Sequence, residues 1–496
     1  MQTNHISGKI LIFSILFLIL IQSLAPNSSG EKNPLLARNP IRLSGNHPPI
    51  YINGNDNFTS ANGVIGGQGT EADPYVIGDW VIASNGENGP GIWITNTTAF
   101  FVILNCTVRG FSNDHSHAIY LKNVRNGQLT AVDVFDDYVG IGIYNSNNIG
   151  ISNTTCHDST GYYSYGFYCE YSTNITMSSC SFWNISGISA IPCHFYSVAY
   201  LLVEQISVHD NKGMSGLRVG VAPRTTQGRH LCIVRDCKIF NDSGEAFSLA
   251  YFSDIRRPAY VLVQRCEIYN CGYPDEFLHY NFDTFTVAGL YNTIIEDCSA
   301  HNNAVEGMYM DGCANSVVRN CSFYNQSRSD NIIASGLIIS GAYQFGMFAW
   351  NVTVEHCNIY NNQWGLSLAD IPSFKIHHNA IYNNSEYGVF RMYMFPKIST
   401  GYFRDNNIFG NGYEGGIFDR GFYAERGIYD CRNNWWGSSD GPTFWKGGIL
   451  GNHITHFGHG HGDGFETFEG WAFYRPWLRS PVPDAGRQTQ PPITRD

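Results

Sequence analysis

The chain has 496 residues and a formal net charge of −11, with only 14 % charged residues against 14 % aromatic ones, and with 52 Gly and 14 Cys. Its 43 % hydrophobic content excludes general disorder. The acidic balance argues against nucleic acid as a partner, which requires a basic face.

At the N-terminus, Lys9 precedes an apolar run from Ile10 to Ile21 broken only by Ser14, and Ser23-Leu24-Ala25 has the small-residue pattern of a cleavage site. The run is short against the roughly twenty residues of a membrane span. Residues 1–25 are therefore expected to be a signal peptide or an N-terminal anchor, the chain's one tie to a membrane. Residues 26–45 read as a linker. Everything after the signal is expected outside the cytoplasm, extracellular or at the cell surface. Twelve glycosylation sequons, among them Asn57, Asn96, Asn174, Asn184 and Asn351, accord with that.

From residue 46 the chain repeats. Residues 46–90 read as an opening cap and residues 91–437 as coils of about two dozen residues, the range of solenoids. Cys156, Cys180, Cys237, Cys266, Cys298, Cys321 and Cys357 align at one coil position, in words such as Cys237-Lys238-Ile239-Phe240-Asn241 and Cys357-Asn358-Ile359-Tyr360-Asn361. A Gly then opens a second alternating run, as in Gly307-Met308-Tyr309-Met310 and Gly365-Leu366-Ser367-Leu368. Period-two strands separated by Asn/Gly turns, with no helical periodicity, predict an all-β, single-stranded right-handed parallel β-helix of about a dozen coils. Aligned cysteines then form an inward ladder of buried free thiols, because parallel side chains one coil apart fit disulfide geometry poorly. Cys169 and Cys193, in neighbouring coils at another phase, are better placed for a disulfide.

Some coils are longer. Extra residues at 222–230, 253–259, 283–292 and 342–350 are expected to project from one side and wall a cleft. Beside them, counting forward from each ladder cysteine puts Glu245, Glu276 and Glu306 at the start of three consecutive strands. Two residues on, an outward column reads Arg218, Ser248, His279 and Tyr309, with Asn281 and Asp311 beyond. Carboxylates one and two coils apart span the separations used by glycosidases. They would also raise one another's pKa or hold Ca²⁺. His279, Tyr309 and Arg218 could supply the base and charge neutralisation of a lyase. Ordinary polar turns remain the alternative.

Two aromatic groups stand out. Tyr162, Tyr163, Tyr165, Phe167 and Tyr168 cluster near one turn, where exposed rings could stack on sugars. Trp435, Trp436 and Trp445 are expected to cap the last coil. Residues 438–480 form a C-terminal cap carrying His453, His456, His459 and His461 next to Asp463 and Glu466, a set suited to Cu or Zn. The Pro-rich residues 481–496 are expected to be disordered.

Three stretches carry a family resemblance: Gly66-Gly67-Gln68-Gly69-Thr70 followed by Asp73-Pro74-Tyr75, the Asn-Cys and Ile-Tyr-Asn-Asn words of residues 91–434, and Asn433-Asn434-Trp435-Trp436-Gly437 followed by Asp440-Gly441-Pro442. On these the chain resembles the pectin-lyase-like β-helix superfamily. It is most similar to exported archaeal and bacterial β-helix proteins grouped with the periplasmic copper-binding proteins of nitrous-oxide-reductase maturation. Asp136-Asp137 and Gly216-Leu217-Arg218-Val219 resemble hydrolase motifs of the pectin-degrading members. The matching Gly-His-Gly is absent one coil later, where Asp158-Ser159-Thr160-Gly161 stands, so that chemistry is not implied. The resemblance implies a fold but no single activity. The first expectation is an exported surface protein binding a polysaccharide, surface glycan or partner along its coil faces. The alternatives are a carbohydrate-active enzyme, lyase or glycosidase, and a copper-binding accessory protein.

Overall fold

The computed structural model describes residues 45–84, 86, 89–221, 231–251, 260–274, 283–327, 333–341, 349–392, 400–412, 420–447, 454–457, 460–473 and 475–488. The apolar segment before residue 26 and its signal or anchor reading lie outside these residues. Among the described residues no helix is long and apolar enough to cross a membrane.

Each coil contributes up to three short strands, and each strand pairs in parallel with its counterpart one coil away. The third strands alone build a 14-stranded sheet. The repeat length varies, from 22 residues between Val134 and Cys156 to 36 between Phe323 and Ile359. The expected β-helix is therefore the architecture, and it begins earlier and ends later than the repeat words suggest. Ile50–Asn53 already pairs with Ile92–Thr97, and Tyr75–Gly78 with Phe101–Leu104. Beyond Gly437, Gly464–Phe473 pairs in parallel along Arg420–Asp430, adding strand to the cap. The Pro-rich end is ordered as far as Gln488. Val482 and Asn407 exchange two hydrogen bonds, the Gly486 N–H donates to the His378 carbonyl, and the Arg487 N–H donates to Asn358 Oδ1.

Alternation decides which side chains are core. On the first face, Ile119, Ile141, Phe167, Cys193, Leu217, Phe247 and Phe285 stack in register, all fully buried. The corners need left-handed backbone, which Asn adopts at low cost. Asn105, Asn145, Asn241, Asn270 and Asn361 accordingly sit at φ 48–57°. A column of small residues lets consecutive coils approach: a Cβ on Gly307 would lie 2.4 Å from the Gly336 carbonyl oxygen.

The thiol ladder is five consecutive coils long, Cys237, Cys266, Cys298, Cys321 and Cys357, all buried. Each thiol donates to the carbonyl two residues back and to one in the preceding coil, as Cys298 does to Glu296 and Val263. Asn379 makes the same two contacts through its amide, so the Cys column continues as an Asn column. Cys180 belongs to this column. Cys156 does not: it pairs with Val134 and Phe182 in mid-strand, a different inward position. All fourteen cysteines are free, and Cys169 and Cys193 stand two residues out of register, which leaves no disulfide between them.

Candidate active site on the first face

The site is built from strands Ser215–Val221, Glu245–Tyr251, Phe285–Ala288 and Glu306–Asp311, neighbours on the first face. Register places their side chains in rows. Ser215 is paired with Glu245, and Glu306 with Ser335. Phe247 pairs with Phe285, so Asp283 stands beside Glu245. Thr286 pairs with Tyr309, so Asp283 also stands beside Glu306. The carboxylate row is thus Glu245, Asp283, Glu306, with Cα atoms about 4.8 Å apart from one coil to the next. The outward column two or three residues on reads His194, Arg218, Ser248, Thr286, Tyr309.

Glu245, Glu306, Arg218 and Tyr309 therefore meet on one face. Glu276 and His279 lie outside the described residues, and their places in the two rows belong to Asp283 and Thr286. Counting forward from Cys266 fails because residues 275–282 come before the strand rather than after it. For the same reason the expected insertion at 283–292 is in fact strand Phe285–Ala288 and its flanks. The alternation Phe285, Val287 behind Asp283 matches Phe247, Leu249 behind Glu245, and it is the sequence signal that identifies Asp283.

The row is electrostatically tight. Glu306 is only 1 % exposed. Its Oε1 accepts the Thr284 N–H at 3.0 Å, and the Thr284 hydroxyl donates to its backbone carbonyl. Burial, then the charge of Asp283 and a hydrogen bond shared with it, hold the Glu306 carboxyl well above the ordinary range. Asp283 is exposed at the mouth of the row, yet enough protein surrounds its carboxyl to push its pKa up as well. Glu245 is raised by burial. The neighbouring Thr286 and Ser248 and the charge of Arg218 offset part of that rise. Tyr309 is raised by burial and by Asp311, whose Oδ1 is buried without a hydrogen bond. The result is two hydrogen-bonded carboxyls, both raised, beside a third that burial raises and a guanidinium lowers.

Upstream, the outward column turns aromatic. Trp93, Tyr120 and Tyr168 precede His194 in register, with Gly142 between the last two tyrosines. Sequence reasoning missed His194, which is 8 % exposed; neither ring nitrogen has a hydrogen-bond partner. Of the tyrosine cluster, Phe167 is core, while Tyr162 and Tyr163 are exposed.

The tail histidines do not form a described metal site. His453 and His459 lie outside the described residues. His456 lies in strand Ile454–Phe457, opposite Trp445. The His461 side chain is 85 % exposed and its Nδ1 is 2.6 Å from Asp440. Asp463, expected beside them, is instead buried and accepts from the Asn411 backbone and amide. Among the described residues no three His, Cys, Asp or Glu side chains are arranged to hold a metal ion, and this includes the carboxylate row considered for Ca²⁺.

A family model described as "Right handed beta helix region" matches residues 90–253, 194–343 and 278–429. No curated protein sequence matches the chain. Similar solved structures include a mannuronan C-5 epimerase A-module from Azotobacter vinelandii, at 10 % identity over 80 % of this chain and 83 % of that one, TM-score 0.33. A mutant periplasmic alginate epimerase matches at 10 % identity over 81 % and 85 %, TM-score 0.38. An alginate lyase matches at 12 % identity over 71 % and 88 %, TM-score 0.27.

Proposed function

The chain belongs to the right-handed β-helix family, and from that premise we propose that it is a carbohydrate-active enzyme that cleaves a polysaccharide by acid–base chemistry on its first face. The observation that carries this is the Asp283–Glu306 carboxyl pair beside Glu245. Pairs of acids whose surroundings push their pKa values apart are the working parts of glycosidases.

In this reading Asp283, at the mouth, holds the transferable proton, and the buried Glu306 beneath it is a positioning residue that keeps that proton available. Glu245, one coil away and beside the Arg218 guanidinium, is the nucleophile. Carboxyls on adjacent coils fall near the roughly 5–5.5 Å separation of retaining enzymes. Glu245 attacks the anomeric carbon while the glycosidic C–O bond breaks and its oxygen takes the Asp283 proton. Asp283, now a base, deprotonates a water that attacks the same carbon and releases Glu245. Arg218 is the one cation of the cluster among the described residues, against four carboxyls. That balance favours hydrolysis over the lyase alternative, since a lyase must neutralise an acidic sugar.

The apolar run Ile10–Ile21 supports an exported, extracellular or surface location, where polysaccharides are met. The test is a polysaccharide panel scored for new reducing ends and for unsaturated products. Reducing ends without unsaturation, lost in Asp283→Asn by about 10³-fold, support the reading. Unsaturated products, or activity indifferent to Asp283→Asn and Glu245→Gln in folded protein, reject it.

A further inference from the structure

A second concavity lies on the same face, upstream of the carboxyl row. Its volume is about 260 Å³, and His115, His117, Tyr138, Tyr163, Tyr165 and Tyr168 line it. Its walls are built rather than incidental. Tyr165 and Tyr168 are tilted 57° to one another at 5.1 Å, and Tyr168 meets His194 edge-on at 5.3 Å. His117 Nδ1 lies 3.0 Å from the His115 carbonyl and must donate to it, so Nε2 accepts the Tyr144 hydroxyl at 2.8 Å.

The chemistry of this lining is specific. Burial lowers the pKa of His117 to about 4 and that of His194 to about 3, so both rings are neutral near pH 7. Burial raises Tyr138, Tyr144, Tyr165 and Tyr168, so their phenols keep their protons. An acid, Glu170, acts on Tyr144 and Tyr168, and the charge of Arg218, downstream, acts on Tyr165 and His194. The lining itself is aromatic faces and hydroxyl edges with no Lys or Arg among its residues. A uronate or phosphate would lose its hydration against these walls without a cation in the lining to pair with. A neutral pyranose, with an apolar face and a rim of hydroxyls, matches both features.

We propose that this tyrosine-lined cavity binds one ring of a neutral saccharide and serves as a remote subsite for the chain cleaved at the carboxyl row. The inference rests on the reading above and narrows its substrate to a neutral polysaccharide. The geometry fits one extended ligand. Register runs Tyr168, His194, Arg218, Ser248, Thr286. Four coil spacings of about 4.8 Å make about 19 Å, the length of a few sugar rings. His194, buried with both nitrogens unpartnered, lies one coil from Tyr168 on this path and could accept from or donate to a sugar hydroxyl.

The experiment titrates the full-length Asp283→Asn chain, whose turnover should be about a thousandfold slower, with maltohexaose, cellohexaose, xylohexaose, mannohexaose and hexagalacturonate in a calorimeter. At least one neutral hexasaccharide should bind. Tyr165→Ala and Tyr168→Ala should each weaken it roughly tenfold, with circular dichroism unchanged, and Tyr165→Phe by less than about threefold. The proposal is overturned if both alanine variants bind normally, if only hexagalacturonate binds, or if nothing in the panel binds. The two readings fail separately. Cleavage of a neutral polysaccharide with unchanged KM in Tyr168→Ala would remove the subsite and leave the carboxyl row standing. Tyrosine-dependent binding with no cleavage by the unsubstituted chain would do the reverse.

Discussion

Single buried acids set the pH behaviour of this protein. Asp242 is 2 % exposed, accepts from the Asn211 backbone and amide through Oδ1, and leaves Oδ2 against Gly216 without a hydrogen bond. Burial pushes its pKa up to about 7, and that of Asp137 to about 8. Above pH 3.8 the unfolded chain ionises these groups while the folded chain keeps them neutral. Their contribution is therefore fully present below that value and is lost as pH rises through 7 and 8. Asp242→Asn, joining a column that already holds Asn211 and Asn303, should flatten this slope and add about 2–4 kcal/mol at pH 8 in denaturant titrations. An unchanged slope would mean the carboxyl is not neutral in the fold. At the active row the same physics acts on catalysis. Because Glu306 and Asp283 are both raised, the basic limb of kcat should sit above the ordinary carboxylate range, and Glu306→Gln should move it. A profile falling near pH 5 and untouched by Glu306→Gln would take Glu306 out of the mechanism. The sequence made Glu245 and Glu306 legible because they stand directly before alternating strands. Asp283 was hidden because residues 275–282 disturb the count from Cys266.

At the level of the coil, two columns carry the stack. One is the thiol ladder, in which burial raises Cys298 and Cys321, and the contact with Cys237 and then burial raise Cys266, well above the ordinary thiol range. Native protein should show almost no reaction with a thiol reagent at pH 8, and denatured protein should show up to fourteen thiols. Rapid native labelling of several groups would contradict the ladder. The other column is aromatic and lies on the outer side of the third face: Phe135, His157, Trp183, His209, Phe240, Tyr269, His301, Tyr324, Tyr360, Tyr382 and Phe409. Consecutive rings stack with centroids 4.4–6.0 Å apart and planes within 14°. The column is written in the Ile-Tyr-Asn words, whose period-two phase marks the strand and the outward ring together. Tyr324→Ala interrupts two stacked pairs and should cost about 1–3 kcal/mol, measured by thermal unfolding. A loss under about 0.5 kcal/mol would make the column surface decoration.

Over the whole molecule, repetition made the fold legible and exceptions to repetition make the site. Every coil obeys the same inward and outward alternation, so the architecture could be read from one repeated word. The carboxyl row and the tyrosine cavity are not repeated from coil to coil, so the repeated word does not mark them. The C-terminal strap is another exception. Its bonds to Asn407, His378, Asn358 and Asn320 cross several coils from outside. Removing residues 481–496 should lower the unfolding temperature by several degrees while leaving far-ultraviolet circular dichroism intact; an unchanged temperature would show that the strap adds nothing. The central claim, that the first face performs acid–base cleavage of a polysaccharide, is tested most directly by incubating the full chain and its Asp283→Asn variant with a polysaccharide panel and counting new reducing ends. The account requires release by the unsubstituted chain from at least one neutral polysaccharide, and about a thousandfold less by the variant with its fold unchanged. Equal release by both proteins, or none from any polysaccharide, would contradict it.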